Sequence, residues 1–504
     1  MTRTNADENG LNLARDFVEH LTRSNGWAAG RGPLYQRLSE ALQAAIERGD
    51  VTPGMRLPAE RLLAEGIGVS RSTVVAAYER LQQRGLVERR QGSGTRISPR
   101  AVARASQARE AELVEAFDRN VLFRGVIEGV DGGDIDLLGA CLPGTERLSP
   151  ALLATAGREL AVATAHDGYF PAGYPPLRRA IAEYLTSGGL PTTEAHVLVT
   201  NGAQQAFSLA ASFFVQRGER VALENPTYPG AIDAATAVGA QLVSLPVGVE
   251  GVQVNTLREA LVAASPKLVY LNPTFHNPTG TVMPDAARAE VAWLVSKSQV
   301  VLIEDRAVAE LALEGEAPWP IAVHAPEAPI LTVGSMSKLF WGGLRVGWIR
   351  APEPLIARLT RFKAVLDLGT SLPGQVTARL LLEELAEVRR ERRREISARF
   401  RLLGELLSEL LPSWSWTQPK GGLSLWVRLP FGSAREFAAQ ARRRGVMTLP
   451  GTVMSPDSSF DTHLRLTAAR SPDVLTEGIQ RLAASWEEFA LTAKGSRGQI
   501  AVIV

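Results

Sequence analysis

Lys338 closes the tetrapeptide Ser335-Met336-Ser337-Lys338, and Arg345 follows in Gly343-Leu344-Arg345. A primary amine can form a Schiff base with an aldehyde-bearing cofactor, an established route to covalent catalysis. A guanidinium can hold phosphate oxygens in a bidentate grip. Five further pieces fit the same chemistry. Thr200-Asn201-Gly202-Ala203-Gln204 stands where an apolar run gives way to a helical one, and the backbone N–H groups of Gly202, Ala203 and Gln204 at such a helix start attract an anion. Ser335, Ser337 and Arg345 would complete a phosphate clamp. Asp305 ends the apolar run Val300–Ile303, a position from which a carboxylate can pair with a protonated ring nitrogen. Asn277, in His276-Asn277-Pro278-Thr279-Gly280, can donate to a ring hydroxyl, and Tyr228 offers an aromatic face for stacking. Arg465, in His463-Leu464-Arg465-Leu466, would hold the carboxylate of an incoming ligand. Taken singly, each piece also reads as a surface lysine, a glycine turn, a helix cap, an Asn-Pro turn, a packed tyrosine or an outward-facing strand arginine.

What would gather them is a regular alternation of elements. Apolar β-type runs at Val197–Thr200, Val221–Leu223, Leu268–Leu271, Val300–Ile303 and Ile330–Val333 alternate with helical stretches such as Gln204–Val215 and Ala286–Ser296. That pattern predicts a mostly parallel sheet covered by helices. From Pro352 to Trp486 long Arg/Glu-laced helices precede short strands near Leu423–Leu429 and His463–Thr467, which reads as a smaller α+β lobe. Lys494 to Val504 read as a tail.

A different module precedes this one. Leu34, Leu38, Leu42 and Ile46 carry a helical four-residue spacing. Leu57 to Arg61 opens a second helix that Gly66-Ile67-Gly68 ends. Ser70 is placed to cap a third, whose Val74, Tyr78 and Leu81 form a packing stripe. Arg71, Ser72 and Thr73 then occupy the exposed first turn, where a recognition helix meets base edges and phosphates. A hairpin follows, with Leu86–Arg90 and Thr95–Ile97 flanking Gln91-Gly92-Ser93-Gly94, whose glycines permit close approach to a nucleic-acid backbone. Residues 31–100 hold 12 arginines against 7 acids, a balance of +5 within a chain of net charge +2. Positive charge is therefore concentrated where phosphate contact requires it.

A chain of 504 residues exceeds one core, and 45% hydrophobic with 21% charged residues is the composition of an ordinary globular protein. No apolar run reaches the roughly 18 residues of a membrane span. MTRTNADENG carries no export signal, and the single Cys141 excludes an internal disulfide, so the expected compartment is the cytoplasm. The six histidines show no metal-ligand spacing, and no metal is expected. Residues 1–30 read as a polar arm with an amphipathic stretch at Leu13–Leu21, Gly49–Leu57 as a turn-rich connector, and Glu110–Arg119 as a helical part of the linker.

The order LPAER, VSRSTV, AYERL, GLVERRQGSGT over residues 33–97 resembles the GntR-type winged helix-turn-helix. By that resemblance Arg61, Arg71, Thr73 and Gly94 match DNA-contacting positions, with Ser70, Ser72 and Gly92 beside them. Residues 134–486 resemble fold-type I, class I aminotransferases through YFPAGYPPLR, TNGAQQ, NPTYPG, NPTG, the Glu304-Asp305 pair, SMSKLFWGGLRVGW, PKGGLSLWV and HLRLTAA. Together the chain looks like a MocR-type regulator. The expected fold is α/β: a DNA-binding domain at 31–99, a linker at 100–133, and an aminotransferase-like domain at 134–490 whose large part ends near residue 350. The resemblance implies pyridoxal 5'-phosphate on Lys338. It also implies a homodimer in which Tyr169 enters the partner's pocket and each reader packs on the other subunit's large domain.

One departure stands out. In the aminotransferase pattern a tyrosine that bonds the ring hydroxyl follows the aspartate by two or three residues, but here Arg306, Ala307 and Val308 follow Asp305. Asn277 would then support the ring oxygen alone, and poor turnover is expected. The favoured reading is a transcription regulator that senses an amino compound bearing a carboxylate. The alternatives are a working class I aminotransferase with an incidental reader, and a DNA-binding protein that uses an aminotransferase shell only to dimerise.

Overall fold

A computed structural model of the chain describes residues 32–48, 55–90, 94–98 and 133–500. The arm at 1–30, most of the connector after Gly49, Gly92 at the hairpin tip and the linker stretch Glu110–Arg119 lie outside the described residues. The chain divides into two compact units, Met1–Phe117 and Asp118–Val504.

The first unit holds α1 (Leu34–Arg48), α2 (Glu60–Ile67), α3 (Arg71–Gln83) and an antiparallel hairpin of β1 (Val87–Arg90) and β2 (Gly94–Ile97). Its core takes the stripe expected from spacing. Leu38, Leu42 and Ile46 of α1 meet Leu63 of α2, Val74, Tyr78 and Leu81 of α3, and Val87 and Ile97 of the hairpin. Ser70 caps α3, its Oγ accepting from the Thr73 N–H at 3.2 Å. The Tyr78 hydroxyl, buried in this core, donates to the Pro58 carbonyl at 2.9 Å and so satisfies its polar end.

The second unit is built on an eight-stranded sheet. Its strands are β4 (Val197–Thr200), β5 (Arg220–Asn225), β6 (Gln241–Gly248), β7 (Gly251–Val252), β8 (Leu268–Leu271), β9 (Val301–Asp305), β10 (Ile330–Ser335) and β11 (Gly347–Arg350), in the order β4-β11-β10-β9-β8-β5-β6-β7. The pairs from β10 through β6 are parallel. β11 runs antiparallel to both β4 and β10, a reversal that turns β4 parallel to the central strands. Strands β4, β5, β8, β9 and β10 consequently end at one edge, with Ser335 opposite Gly347 and Gly347 opposite Thr200.

A smaller lobe carries β12 (Ser415–Trp416), β13 (Ser424–Arg428), β15 (Leu449–Pro450) and β16 (His463–Thr467) as an antiparallel sheet. Beside it β3 (Ile135–Asp136) pairs in parallel with β14 (Val446–Met447). The expected tail from Lys494 is corrected here, because the last helix runs Pro472–Ile500. Leu475, Ile479, Leu482, Trp486 and Phe489 anchor its earlier turns in the core, and each further residue then adds one backbone bond to an existing helix. Among the described residues no helix is long and apolar enough to cross a membrane.

Candidate functional site

The common edge of β4, β5, β8, β9 and β10 collects the sequence candidates, at the strand ends where ligands settle in open α/β sheets. Gly202, with φ +80°, sits between β4 and the helix Ala203–Phe214. A Cβ on Gly347 would lie 2.8 Å from the Gly202 carbonyl carbon, so both positions need glycine for the turn to nest against β11. The Arg345 guanidinium donates to the Asn201 carbonyl at 2.8 Å, which brings a fixed cation to the N-terminus of that helix. Ser335 accepts from the Ser337 N–H at 3.1 Å, while the buried Ser337 hydroxyl and the Gln204 side-chain oxygen have no hydrogen-bond partner. Asp367 braces the turn from behind, accepting from Gln205 at 2.6 Å, from Asn201 at 3.4 Å and from the buried Lys363 ammonium at 2.8 Å.

Lys338 is half-buried and directs its Nζ at the Ala140 carbonyl, 2.9 Å away, and at the Cys141 Sγ, 3.4 Å away. The adjacent ammonium holds the Cys141 thiol below the ordinary thiol range against the opposing effect of burial. Asp305 is 5% exposed and accepts from the Tyr270 hydroxyl at 2.6 Å and the Ala307 N–H at 2.8 Å. Burial pushes its carboxyl up, and the Tyr270 and Ala307 donors pull it back. Val308, where the pattern calls for tyrosine, packs with the apolar core. Tyr228 is half-buried at the start of the helix Pro229–Ala237, edge-on to Phe207 at 6.2 Å, and burial raises its hydroxyl.

Asn277 accepts from Ser424 at 3.2 Å and from Arg465 at 3.4 Å, both in the smaller lobe. Two donors on its side-chain oxygen leave the amide nitrogen as the group that can donate outward. Arg465 is 1% exposed, which removes the outward-facing alternative. It also donates to the Leu138 carbonyl, and its Nε has no partner. Burial lowers its guanidinium to about 10. Tyr169 stands apart: it is 63% exposed on the loop before the helix Pro175–Ser187.

Three pocket residues escaped the sequence reading. Tyr270 falls inside an apolar strand run, Asn272 lies just past its end and is not singled out, and Cys141 serves only as a marker of redox compartment. Tyrosine and asparagine at the end of an otherwise aliphatic strand were the available signal, since buried polar groups need partners.

In the reader, Arg61 is exposed and pairs with Glu65 at 3.3 Å along α2. Arg71 is exposed in the first turn of α3 and reaches Glu60 at 3.4 Å. Glu60 also holds Arg89 of β1, so one carboxylate gathers a helix arginine and a hairpin arginine that the sequence reading had not linked. The hydroxyls of Ser72 and Thr73 lie 2.8 and 2.7 Å from that of Ser70. Gly94 has φ +79° and packs against the Arg56 guanidinium.

Comparison with known proteins agrees with both units. Residues 34–97 match the bacterial regulatory proteins of the gntR family, and residues 142–482 match the aminotransferases of class I and II. The chain is 30% identical to the uncharacterized HTH-type transcriptional regulator YisV of Bacillus subtilis (strain 168), over 90% of this chain and 95% of the relative. It is 29% identical to the probable rhizopine catabolism regulatory protein MocR of Rhizobium meliloti, over 70% and 72% of the two chains. Among solved structures it is similar to LysN, the alpha-aminoadipate aminotransferase of Thermus thermophilus, complexed with N-(5'-phosphopyridoxyl)-L-leucine. The TM-score is 0.67 at 29% identity, covering 75% of this chain and 98% of that one. The chain therefore belongs to the GntR-type transcription regulators of the MocR kind, in which a winged helix-turn-helix is fused to a domain of the pyridoxal-phosphate-dependent class I aminotransferase fold.

Proposed function

We propose that this regulator carries pyridoxal 5'-phosphate at Lys338 and reads an amino compound with a carboxylate through it. The observation that carries the reading is convergence. An amine, a glycine-built anion cradle, a buried carboxylate and a buried guanidinium meet at one sheet edge, and the unpartnered Ser337 hydroxyl, Gln204 oxygen and Arg465 Nε lie among them. Such orphaned polar atoms are costly unless a ligand satisfies them.

Gly202, Ala203, Gln204, Ser335, Ser337 and Arg345 would hold the phosphate. Asp305 would hold the ring nitrogen, Asn277 the ring hydroxyl, and Tyr228 a ring face. When bound, the cofactor supplies an electrophilic carbon for an amine and an electron sink. The protein's share is positional. Lys338 offers its amine beside the Ala140 carbonyl, and Asp305 places a buried carboxyl at the strand end, held by Tyr270 and the Ala307 N–H. Arg465 offers a desolvated cation to a carboxylate, which strengthens that contact over one made in water. With Val308 packed against the core and no hydroxyl at that position, recognition rather than sustained turnover is what these residues serve. Turnover of an amino acid with 2-oxoglutarate at enzymatic rates would favour the aminotransferase reading instead.

In the reader, Arg61, Ser70, Arg71, Ser72, Thr73, Gly92 and Gly94 form the DNA-contacting set. The second copy implied by Tyr169 has a face to use. A Cβ on Gly369 would meet the Phe170 backbone at 3.0 Å, so the stretch that carries exposed Val365, Leu366 and Leu368 passes by the loop of exposed Tyr169. The proposed working form is a cytoplasmic homodimer, with domains at 31–99 and 134–490 joined by the linker. The deciding experiment reduces the cofactor-loaded protein with borohydride and maps the tagged peptide. A label on Lys338 supports the reading, and a label elsewhere or none removes it.

A further inference from the structure

β8 and β9 pair up to Leu271 and Glu304, and there the backbone ladder stops. Asn272 continues it with its side chain. Its Nδ2 donates to the Asp305 carbonyl at 3.1 Å, its Oδ1 accepts from the Asn277 N–H at 2.9 Å, and its own N–H donates to Glu224 Oε2 at 2.6 Å. Asn272 is 2% exposed and Glu224 is fully buried, so water cannot substitute for any of these bonds. The amide has one workable orientation, because Asn277 brings a donor and Asp305 brings an acceptor. Tyr270, two residues earlier, fixes the Asp305 carboxylate itself.

We propose that Asn272 is a positioning residue that makes the two ring-holding groups move as one. It ties the backbone of Asp305 to the backbone of Asn277, whose side chain is held in turn by Ser424 and Arg465 of the smaller lobe. The contact for the ring nitrogen and the contact for the ring hydroxyl therefore share a buried joint. A shift of the smaller lobe at Arg465 reaches Asn277 first and Asp305 through Asn272. The inference rests on the cofactor reading above, and it assigns the joint to a residue that touches neither ligand nor cofactor.

The test uses the full chain with pyridoxal 5'-phosphate as the probe, comparing wild type with Asn272→Ala and Asn272→Asp. Alanine removes both side-chain bonds. Aspartate keeps the acceptor for Asn277 but cannot donate to Asp305. Two readouts report on the ring: the pH midpoint of the bound cofactor's visible absorbance, and the resonance of a ¹⁵N-labelled ring nitrogen. Both variants should shift the midpoint by about half to one pH unit and move the nitrogen resonance, as expected when hydrogen bonding around a charged group changes. Cofactor affinity should fall about tenfold in Asn272→Ala. A variant that melts earlier yet keeps both ring signals would overturn the proposal, since Asn272 would then be a structural residue only. If Asn272→Ala does not fold, Asn272→Asp decides by the same signals. A wild type that takes up no cofactor at Lys338 removes the cofactor reading and this inference with it, a result distinct from unchanged signals in a loaded variant.

Discussion

The two units handle charge in opposite ways. In the reader, the cations proposed to meet phosphate stand in solvent: the Arg61 and Arg71 side chains are 84% and 70% exposed. In the pocket, Arg465 and Asp305 are buried and bonded to carbonyls, amides and a tyrosine hydroxyl. The contrast follows from what each must recognise. A polyanion is met at a surface, where salt screens every contact and several weak contacts add up. A small ligand, on the proposed function, would be met in a closed space, where most polar groups have a fixed partner and the loss of one is felt in full.

This contrast can be broken by experiment, and the largest effect belongs to the buried side. Arg465→Ala should weaken binding of those L-amino acids that perturb the cofactor's absorbance in wild type by about 2–5 kcal/mol, with little dependence on salt. A loss below tenfold would mean that Arg465 serves the fold alone. On the exposed side, Arg71→Ala should reduce discrimination between operator and mutated operator by about 1–3 kcal/mol if the side chain reads a base edge. Binding should also weaken steeply with salt in both proteins. Unchanged selectivity would confine Arg71 to the phosphate backbone.

A smaller effect concerns the reader's own build. Ser70→Ala removes the bond to the Thr73 N–H and should destabilise α3 by about 1 kcal/mol in chemical denaturation. An unchanged midpoint would show the cap to be dispensable. The smallest effect is a titration. Because the Lys338 ammonium favours the Cys141 thiolate, the thiol's folded value lies below its ordinary one, and the thiolate persists to lower pH than in a free cysteine. Iodoacetamide labelling of the cofactor-free protein should therefore reach half its plateau rate below the ordinary thiol range. Lys338→Met should move that midpoint upward. A midpoint that ignores Lys338 would place the cause elsewhere.

Legibility in the sequence followed the same divide. The reader could be read almost to the residue, since its stripe Val74, Tyr78, Leu81 and its cap Ser70 are local signals within one helix. The pocket was readable at strand ends, because aliphatic runs stop where Thr200, Asp305 and Ser335 begin their chemistry. What joins those ends was not readable. The antiparallel β11 between β4 and β10 depends on Gly347 meeting Gly202 across the fold. Tyr270 and Asn272 gain meaning only when β8 lies beside β9. The departure at Val308 was visible at once, while the hydroxyl that does reach Asp305 comes from a neighbouring strand, which no spacing along the chain encodes.

One strip of backbone gathers two threads. The Leu138 carbonyl accepts a hydrogen bond from Arg465, and the Ala140 carbonyl, two residues on, accepts one from Lys338. Two of the pocket's cations are thus moored to a single short length of chain, near the start of the described part of the second unit. On the proposed function, a visitor that claimed the amine and the guanidinium would cast off those moorings, on a length of chain that runs back in sequence toward the linker.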